Sequence, residues 1–245
     1  MTGFMPHVRK PEFHRFRDLT DAMLNVDFQI HTNWTDGEAT PQDILEVAQA
    51  RHLDAIAFTE HIRHDTDWFA RFVRHVREHA VGFPDMTVYV GCETTAMDEN
   101  GTIDSTDDIH RECDLVLGSV HRFPDGKGGY LDFKALSAGD AAEIEFLLAL
   151  GLARHAAIDV LAHPGGMYER RHGAFPQEYF RELMMATLER GIAIEINSSY
   201  LVDMGGFLLL CEEINPIVSI GSDVHRLDDL ARCRDMLRQL GVARV

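Results

Sequence analysis

Histidine and carboxylate side chains recur in this sequence directly after short apolar segments. Eight of them share this setting: His31, Asp36, His61, Glu93, His121, His163, Asp223 and His225. With Asn197 at the corresponding place after one further segment, successive sets lie 26 to 42 residues apart, the length of a helix plus the next strand. Five imidazoles and three carboxylates, without a thiolate, are typical of a multinuclear Zn²⁺, Mn²⁺ or Fe²⁺ site rather than of a structural zinc.

The segments before these residues have the pattern of buried strands. Each is a short apolar or β-branched run, and amphipathic helical periodicity fills the chain between them. The predicted strands cover residues 26–30, 55–59, 87–91, 115–120, 160–162, 192–196 and 217–220. Seven strands that alternate with helices indicate a parallel sheet, either closed as a barrel or open and doubly wound. In a barrel, the carboxyl ends of all strands meet on one face, so the eight residues would share one pocket.

Composition excludes several classes of protein. The chain has 245 residues, with 40 acidic and 23 basic side chains and a formal net charge of −17. Binding along a nucleic acid needs clustered Lys and Arg, so this acidity argues against an extended nucleic-acid partner. The first residues lack the apolar core of a signal peptide, no segment is apolar enough to span a membrane, and the four cysteines form no CxxC pair.

These features predict a cytoplasmic protein without a membrane partner. We find no linker or change in composition along the chain. The predicted organisation is an N-terminal extension over residues 1–24, followed by one domain over residues 25–245.

Seven sequence fragments, in their order and spacing, resemble the PHP superfamily, which is named for polymerase and histidinol phosphatase domains. The fragments are QIHTNWTDG, AIAFTEH, VGCE, LVLGSVH, VLAHPGG, IEINS and GSDVH. The resemblance implies an α/β fold, a distorted (β/α)7 barrel with the metal site at the C-terminal ends of the strands. It also implies two or three divalent metal ions and cleavage of phosphoesters.

The same resemblance distributes the ligands among three metals. It assigns His31, Glu93 and Asp223 to one metal, and Glu93 would bridge to a second that His121 and His163 hold. Asp36, His61 and His225 would hold the third. The family usually begins with His-x-His, whereas this chain has Gln29 at the first position. An amide oxygen is a weaker ligand than an imidazole, so we expect a metal deficit at the first site, or a harder ion such as Mn²⁺ there.

The expected mechanism is in-line attack on phosphorus by a hydroxide, because water on divalent ions has a pKa near neutrality. Asp223 is expected to be both a ligand and the acceptor of the proton from this water. Arg63 and Arg122 follow the ligands most closely in the sequence, and guanidinium groups suit phosphate oxygens, so these two are the expected substrate-binding residues.

The favoured function is hydrolysis of a small phosphate monoester, similar to that of histidinol-phosphate phosphatases. One alternative is a phosphodiesterase or nuclease that acts on nucleotides or nucleic-acid ends. A second is an amidohydrolase that directs the same hydroxide at a carbonyl. The third is a catalytically weakened PHP domain that only binds metal.

Overall fold

All seven predicted segments form strands in the computed structural model, which describes residues 10–242. An eighth, very short strand precedes them. The strands are β1 (His14–Arg15), β2 (Val26–Ile30), β3 (Ala55–His61), β4 (Thr87–Thr95), β5 (Leu115–Ser119), β6 (Val160–Leu161), β7 (Ala193–Asn197) and β8 (Ile217–Gly221). β3 and β4 extend beyond their predicted ends because the ladder continues as far as the pairing of His61 with Glu93.

Strands β2 to β8 are all parallel, and each pairs with its neighbour in sequence. The first and last of them also meet, since the backbone N–H of His31 donates to the carbonyl of Val224 at 2.9 Å. The N–H of Val224 in turn donates to the carbonyl of Gln29 at 3.1 Å, which completes a parallel bridge. The sheet therefore closes, and the predicted seven-stranded barrel is confirmed.

Within residues 10–242, eight α-helices connect the strands or follow them. They are α1 (Pro41–Ala50), α2 (Phe69–Ala80), α3 (Asp107–Glu112), α4 (Ala138–His155), α5 (Gly166–His172), α6 (Gln177–Arg190), α7 (Met204–Ile214) and α8 (Arg232–Gln239). α1 begins with a capping box, because the Thr40 hydroxyl accepts from the Asp43 N–H and the Asp43 carboxylate accepts from the Thr40 N–H. Its apolar residues, such as Ile44 and Leu45, are buried against the barrel.

The core has two parts, which follow the alternation of side chains along the strands. Leu115 and Leu117 pack inside the barrel with Phe28 and Val160, whereas Val116 belongs to the larger cluster between the sheet and the helices. The apolar plug inside the barrel thus occupies the amino ends and middle of the strands. The carboxyl ends are left to polar side chains.

Part of the predicted N-terminal extension packs on the barrel. β1 pairs antiparallel with β8, and Phe16, Leu19 and Leu24 are buried in the core. Residues 1–9, which complete that predicted extension, and residues 243–245 lie outside the described part of the chain. Among residues 10–242, no helix is both long enough and apolar enough to cross a bilayer.

Candidate metal centre

The carboxyl ends of the strands bring the eight predicted ligands together. Most of these residues either end a strand or follow it within a few positions, because each strand delivers its next side chain to the same mouth of the barrel. Their ligand atoms form three groups, each with all atoms within 4.8 Å of one another: His31, Asp36, His61 and His225; His61, Glu93 and His121; and His31, Glu93 and Asp223. His163 joins these groups through Glu93.

Glu93 is the centre of the arrangement. Its Oε1 lies 2.7 Å from Nε2 of His163 and 3.1 Å from Nε2 of His121. Its Oε2 lies 3.2 Å from Nε2 of His31 and 3.2 Å from Nδ1 of His61. A buried carboxylate with two imidazoles on each oxygen has the geometry of a bridge between two cations.

Asp36 forms the outer edge of the centre. Its Oδ2 lies 3.3 Å from Nε2 of both His61 and His225, and its side chain is 53% exposed. Hydrogen bonds from His225 and His61 hold the pKa of Asp36 far below the ordinary range. The loop can return Asp36 to this point because residue 37 is glycine. A Cβ at this position would lie only 2.4 Å from the carbonyl oxygen of His31.

The donor set fits a divalent cation. The two ring nitrogens of His31 and Oε2 of Glu93 are buried and have no hydrogen-bond partner among the described residues. Nε2 of His31 lies 3.2 Å from Oδ1 of Asp223 and 3.2 Å from Oε2 of Glu93, but neither pair is aligned for a hydrogen bond. Unpartnered buried polar atoms are costly, and a cation held between Nε2 of His31 and Oε2 of Glu93 would satisfy these two.

The carboxylates of the centre are ionised. Burial by itself would raise the pKa of Glu93, but the charges of His121, His61 and His163 hold it well below the ordinary value. Burial also opposes ionisation of Asp223, yet the charge of His31, whose Nε2 lies 3.2 Å from Oδ1, helps to lower its pKa to about 2. Metal ligands must be deprotonated, so these two groups are ready to bind a cation at neutral pH.

Two of the proposed ligands have unusual backbone conformations. His163 has φ of 27° and Asp223 has φ of 49°, in the region that favours glycine. Such a residue costs about 1–3 kcal/mol and persists only when its surroundings fix it, typically at functional sites. The turns after β6 and β8 therefore aim these side chains at the centre despite the strain.

Buried carboxylates that the sequence analysis did not assign support the ligands from behind. Glu60 accepts from the N–H of Thr32 at 2.9 Å and from the hydroxyls of Thr32 and Thr35, which fixes the loop that carries Asp36. Glu195 accepts from the N–H of His163 at 2.8 Å. Glu60 precedes the ligand His61 at the end of β3, and Glu195 lies on β7 two residues before Asn197; an acidic residue within a buried strand, close to its carboxyl end, is the signal that could have identified them.

The amide oxygen of Gln29 is engaged in a hydrogen bond with Asn197. Its Oε1 accepts from Nδ2 of Asn197 at 2.8 Å, and its Nε2 is buried without a partner among residues 10–242. The orientation of Asn197 is fixed, since Oδ1 accepts from the N–H of Ser199 and Nδ2 also donates to Glu195. The group that faces Asn197 must therefore be the amide oxygen of Gln29, which is the atom a metal would need.

A cleft opens over the ligands. One lobe, of about 280 Å³, is lined by Asp36, His61 and His121 and also by both predicted substrate-binding residues, Arg63 and Arg122. His64, which follows the ligand His61 by three positions, belongs to none of the three ligand groups among the described residues; its Nδ1 lies 2.6 Å from Oδ1 of Asp104.

A second lobe of the cleft, of about 200 Å³, shares Asp36, His61 and His121 with the first. It adds Arg170 and Tyr200 to the lining. Neither residue is among the predicted site residues, because Arg170 lies on α5 and Tyr200 in the loop after β7, and only the fold brings them together.

The family model of the PHP domain matches residues 27–199. The chain belongs to the PHP domain family. The resemblance that the seven fragments indicated is thus confirmed. The match ends before Asp223 and His225, and in this PHP domain it is the turn after β8 that adds these two residues to the centre.

Curated relatives carry phosphatase and polymerase names. A "Probable phosphatase" of Caldicellulosiruptor bescii is 28% identical over 154 residues, which are 60% of this chain and 56% of that protein. The "DNA polymerase/3'-5' exonuclease PolX" of Bacillus subtilis is 20% identical over 221 residues, 85% of this chain and 35% of that protein. The chain therefore spans only about half the length of the phosphatase relatives that it matches.

One solved structure that matches this chain is a two-domain protein from Bacteroides vulgatus that contains a "predicted PHP-like metal-dependent phosphoesterase". It is 18% identical with a TM-score of 0.42, and the match covers 93% of this chain and 58% of that one.

Proposed function

We propose that this PHP domain is a metal-dependent phosphoesterase that hydrolyses a small phosphate monoester. The observation that carries the proposal is the set of three donor groups at the mouth of the barrel, two of which share Glu93, beneath a cleft lined by Arg63 and Arg122. The phosphatase and phosphoesterase names of relatives support the same reaction class. The net charge of −17 supports a small substrate rather than an extended nucleic acid.

The proposed ligands are the eight residues of the sequence analysis: His31, Asp36, His61, Glu93, His121, His163, Asp223 and His225. Divalent ions in such a centre supply a water of lowered pKa and neutralise charge on the phosphoryl oxygens. Because the oxygen of Gln29 is engaged with Asn197, we propose that Gln29 does not ligate and that the site of His31, Glu93 and Asp223 is the weakest of the three.

The side chains of the cleft perform the remaining steps. Arg63 and Arg122 line the first lobe, and among the described residues neither forms an ion pair. Their guanidinium groups are therefore free to hold the phosphoryl oxygens in line for attack. Oδ1 of Asp223 faces His31, so the second oxygen, Oδ2, accepts the proton from the attacking water.

Hydrolysis of four model substrates tests the proposal. The purified protein, supplied with Mn²⁺ or Zn²⁺, is assayed with p-nitrophenyl phosphate, bis-p-nitrophenyl phosphate, a short DNA and p-nitroacetanilide. We expect the monoester to be the best substrate, and we expect EDTA treatment and Asp223→Asn to abolish its turnover.

Each other outcome identifies one of the alternatives. Faster turnover of the diester or of DNA would favour a phosphodiesterase, and turnover of the anilide would favour an amidohydrolase. Full metal content without turnover of any substrate would indicate a catalytically weakened domain.

A further inference from the structure

The second lobe of the cleft contains an arginine side chain, Arg170, that has no role in the proposed reaction. Arg170 is exposed on α5, and its guanidinium carbon lies 4.6 Å from the centre of the Tyr200 ring. One of its N–H groups donates to the hydroxyl of Tyr200. In the described part of the chain no carboxylate pairs with Arg170, although acidic residues outnumber basic ones by 40 to 23.

Buried contacts fix Tyr200 and Arg170 in this position. The Tyr200 ring packs against the His163 ring with 4.6 Å between the ring centres. A Cβ on Gly166 would lie 2.9 Å from the Tyr200 ring, so only glycine allows the ring to lie there. The carboxylate of Glu169 accepts from the N–H of Phe175 and, at 2.7 Å, from the N–H of Val202, which ties α5 to the loop of Tyr200.

A second buried acidic side chain holds the beginning of α5. Glu145 on α4 accepts from the N–H of Met167 at 3.0 Å and from the N–H of Tyr168 at 2.6 Å. The backbone that carries Arg170 is thus fixed by the carboxyl groups of Glu145 and Glu169, whereas the guanidinium itself lies at the surface. This combination is typical of a preorganised binding group rather than of a solvated loop residue.

The first lobe, which shares Asp36, His61 and His121 with the second, contains a similar pair. The guanidinium carbon of Arg122 lies 5.0 Å from the centre of the Tyr130 ring. A molecule whose phosphate lies on Asp36, His61 and His121 can therefore meet an arginine on either side. A guanidinium group with free donors, held on an aromatic ring, suits a planar or tetrahedral anion.

We propose that Arg170 and Tyr200 form a subsite for a second anionic group of the substrate, a phosphate or a carboxylate. The inference rests on the proposed function and extends it, since it makes the substrate a phosphate monoester with a second anionic substituent. Arg170 is then a specificity-determining residue, and Tyr200 positions it.

Three phosphonates of matched size test the subsite without any turnover. Propylphosphonate has one anionic group, 3-phosphonopropionate replaces its methyl group with a carboxylate, and ethane-1,2-bisphosphonate replaces it with a second phosphonate. Each is titrated calorimetrically into the Mn²⁺-loaded wild-type protein and into the variants Arg170→Ala, Tyr200→Phe and Arg171→Ala. Arg171 is the matched control, because it is the adjacent arginine but donates to the carbonyl of Lys134, away from the lobe.

We expect at least one of the two compounds with a second anionic group to bind the wild-type protein ten or more times more tightly than propylphosphonate. Arg170→Ala should remove most of this preference, Tyr200→Phe should reduce it, and Arg171→Ala should leave it unchanged. The compound with the larger Arg170-dependent gain identifies the second group as phosphate or carboxylate.

Two results would overturn the inference while leaving the proposed function intact. One is a preference that is equal in the wild-type protein and in Arg170→Ala, since the metals alone would then explain it. The other is an equal loss of propylphosphonate binding in Arg170→Ala, which would place Arg170 on the scissile phosphate. Failure of the loaded protein to bind any of the three compounds would instead refute the proposed function, and the inference with it.

Discussion

Replacement of Glu93 by Gln is the sharpest test of the metal centre. The substitution keeps the size and shape of the side chain but removes a negative charge that is 1% exposed and lies within 3.2 Å of four imidazoles. Glu93 belongs to two of the three donor groups, so two cations would lose the same ligand.

The expected loss of affinity follows from the charge. A unit charge about 4 Å from another contributes about 4 kcal/mol at an effective dielectric constant of about 20. Each 1.4 kcal/mol is about a tenfold change, and the amide oxygen of Gln retains part of the interaction, so we expect metal binding to weaken by about two to three orders of magnitude.

Metal content after dialysis, followed by titration of the metal-free protein with Zn²⁺ and with Mn²⁺, measures this effect. Circular dichroism of the metal-free variant checks that the fold is intact. Asp104→Asn is the matched control, because it removes a carboxylate that lines the same cleft but belongs to no donor group. The control should change the affinity less than tenfold.

The result that would refute the bridging role is a folded Glu93→Gln protein that retains the wild-type metal content and affinity. An equal loss of metal affinity in Asp104→Asn would show that the overall negative charge of the cleft, rather than ligation by Glu93, determines metal binding.

Three further predictions follow from the centre and its supports. Arg122→Ala should raise KM for a phosphate monoester more than tenfold, whereas Arg74→Ala, an exposed arginine on α2, should not change it; an unchanged KM in Arg122→Ala would remove Arg122 from the site. Gln29→His should increase the metal retained after dialysis, because it adds an imidazole where the amide oxygen is engaged with Asn197; three tightly held equivalents in both proteins would contradict this. Burial raises the pKa of Glu145 from 4.5 to about 8, so the folded chain keeps a proton that the unfolded chain has lost, and the stability of the metal-free protein should fall as pH rises from about 5 to 8. Glu145 contributes at most about 1.4 kcal/mol per pH unit to this dependence. Denaturant unfolding at several pH values should show that the free energy of unfolding of Glu145→Gln falls less steeply with pH than that of the wild-type protein. Equal slopes would exclude Glu145 as a source of the pH dependence.

Local patterns in the sequence were sufficient for the barrel and for the residues at its mouth. Each strand is a short apolar segment with a ligand-type residue at its end, and both features are encoded within a few neighbouring positions. Parallel strands deliver their ends to one face, so His31 and Asp223, 192 residues apart, could be expected together before any contact was known. The predicted ends of β3 and β4 lie too early in the chain, because the pairing of these two strands continues as far as His61 and Glu93.

Short strands that depend on a distant partner carry no such local pattern. β1 has only two residues, which lie in a polar segment. It forms because His14 pairs with Val218, which lies near the opposite end of the sequence. Its stability comes from the edge of β8 and from the burial of Phe16, neither of which a local pattern reveals.

Sequence alone therefore determined which residues stand at the mouth of the barrel, because strand periodicity and the common direction of parallel strands are local and general properties. The tertiary structure decided how those residues are used. The hydrogen bond from Asn197 turns the amide oxygen of Gln29 toward it, and the carboxyl group of Glu169 joins α5, which carries Arg170, to the loop of Tyr200. Contacts of this kind link loops remote in sequence, and they depend on distances and orientations that exist only once the barrel has closed.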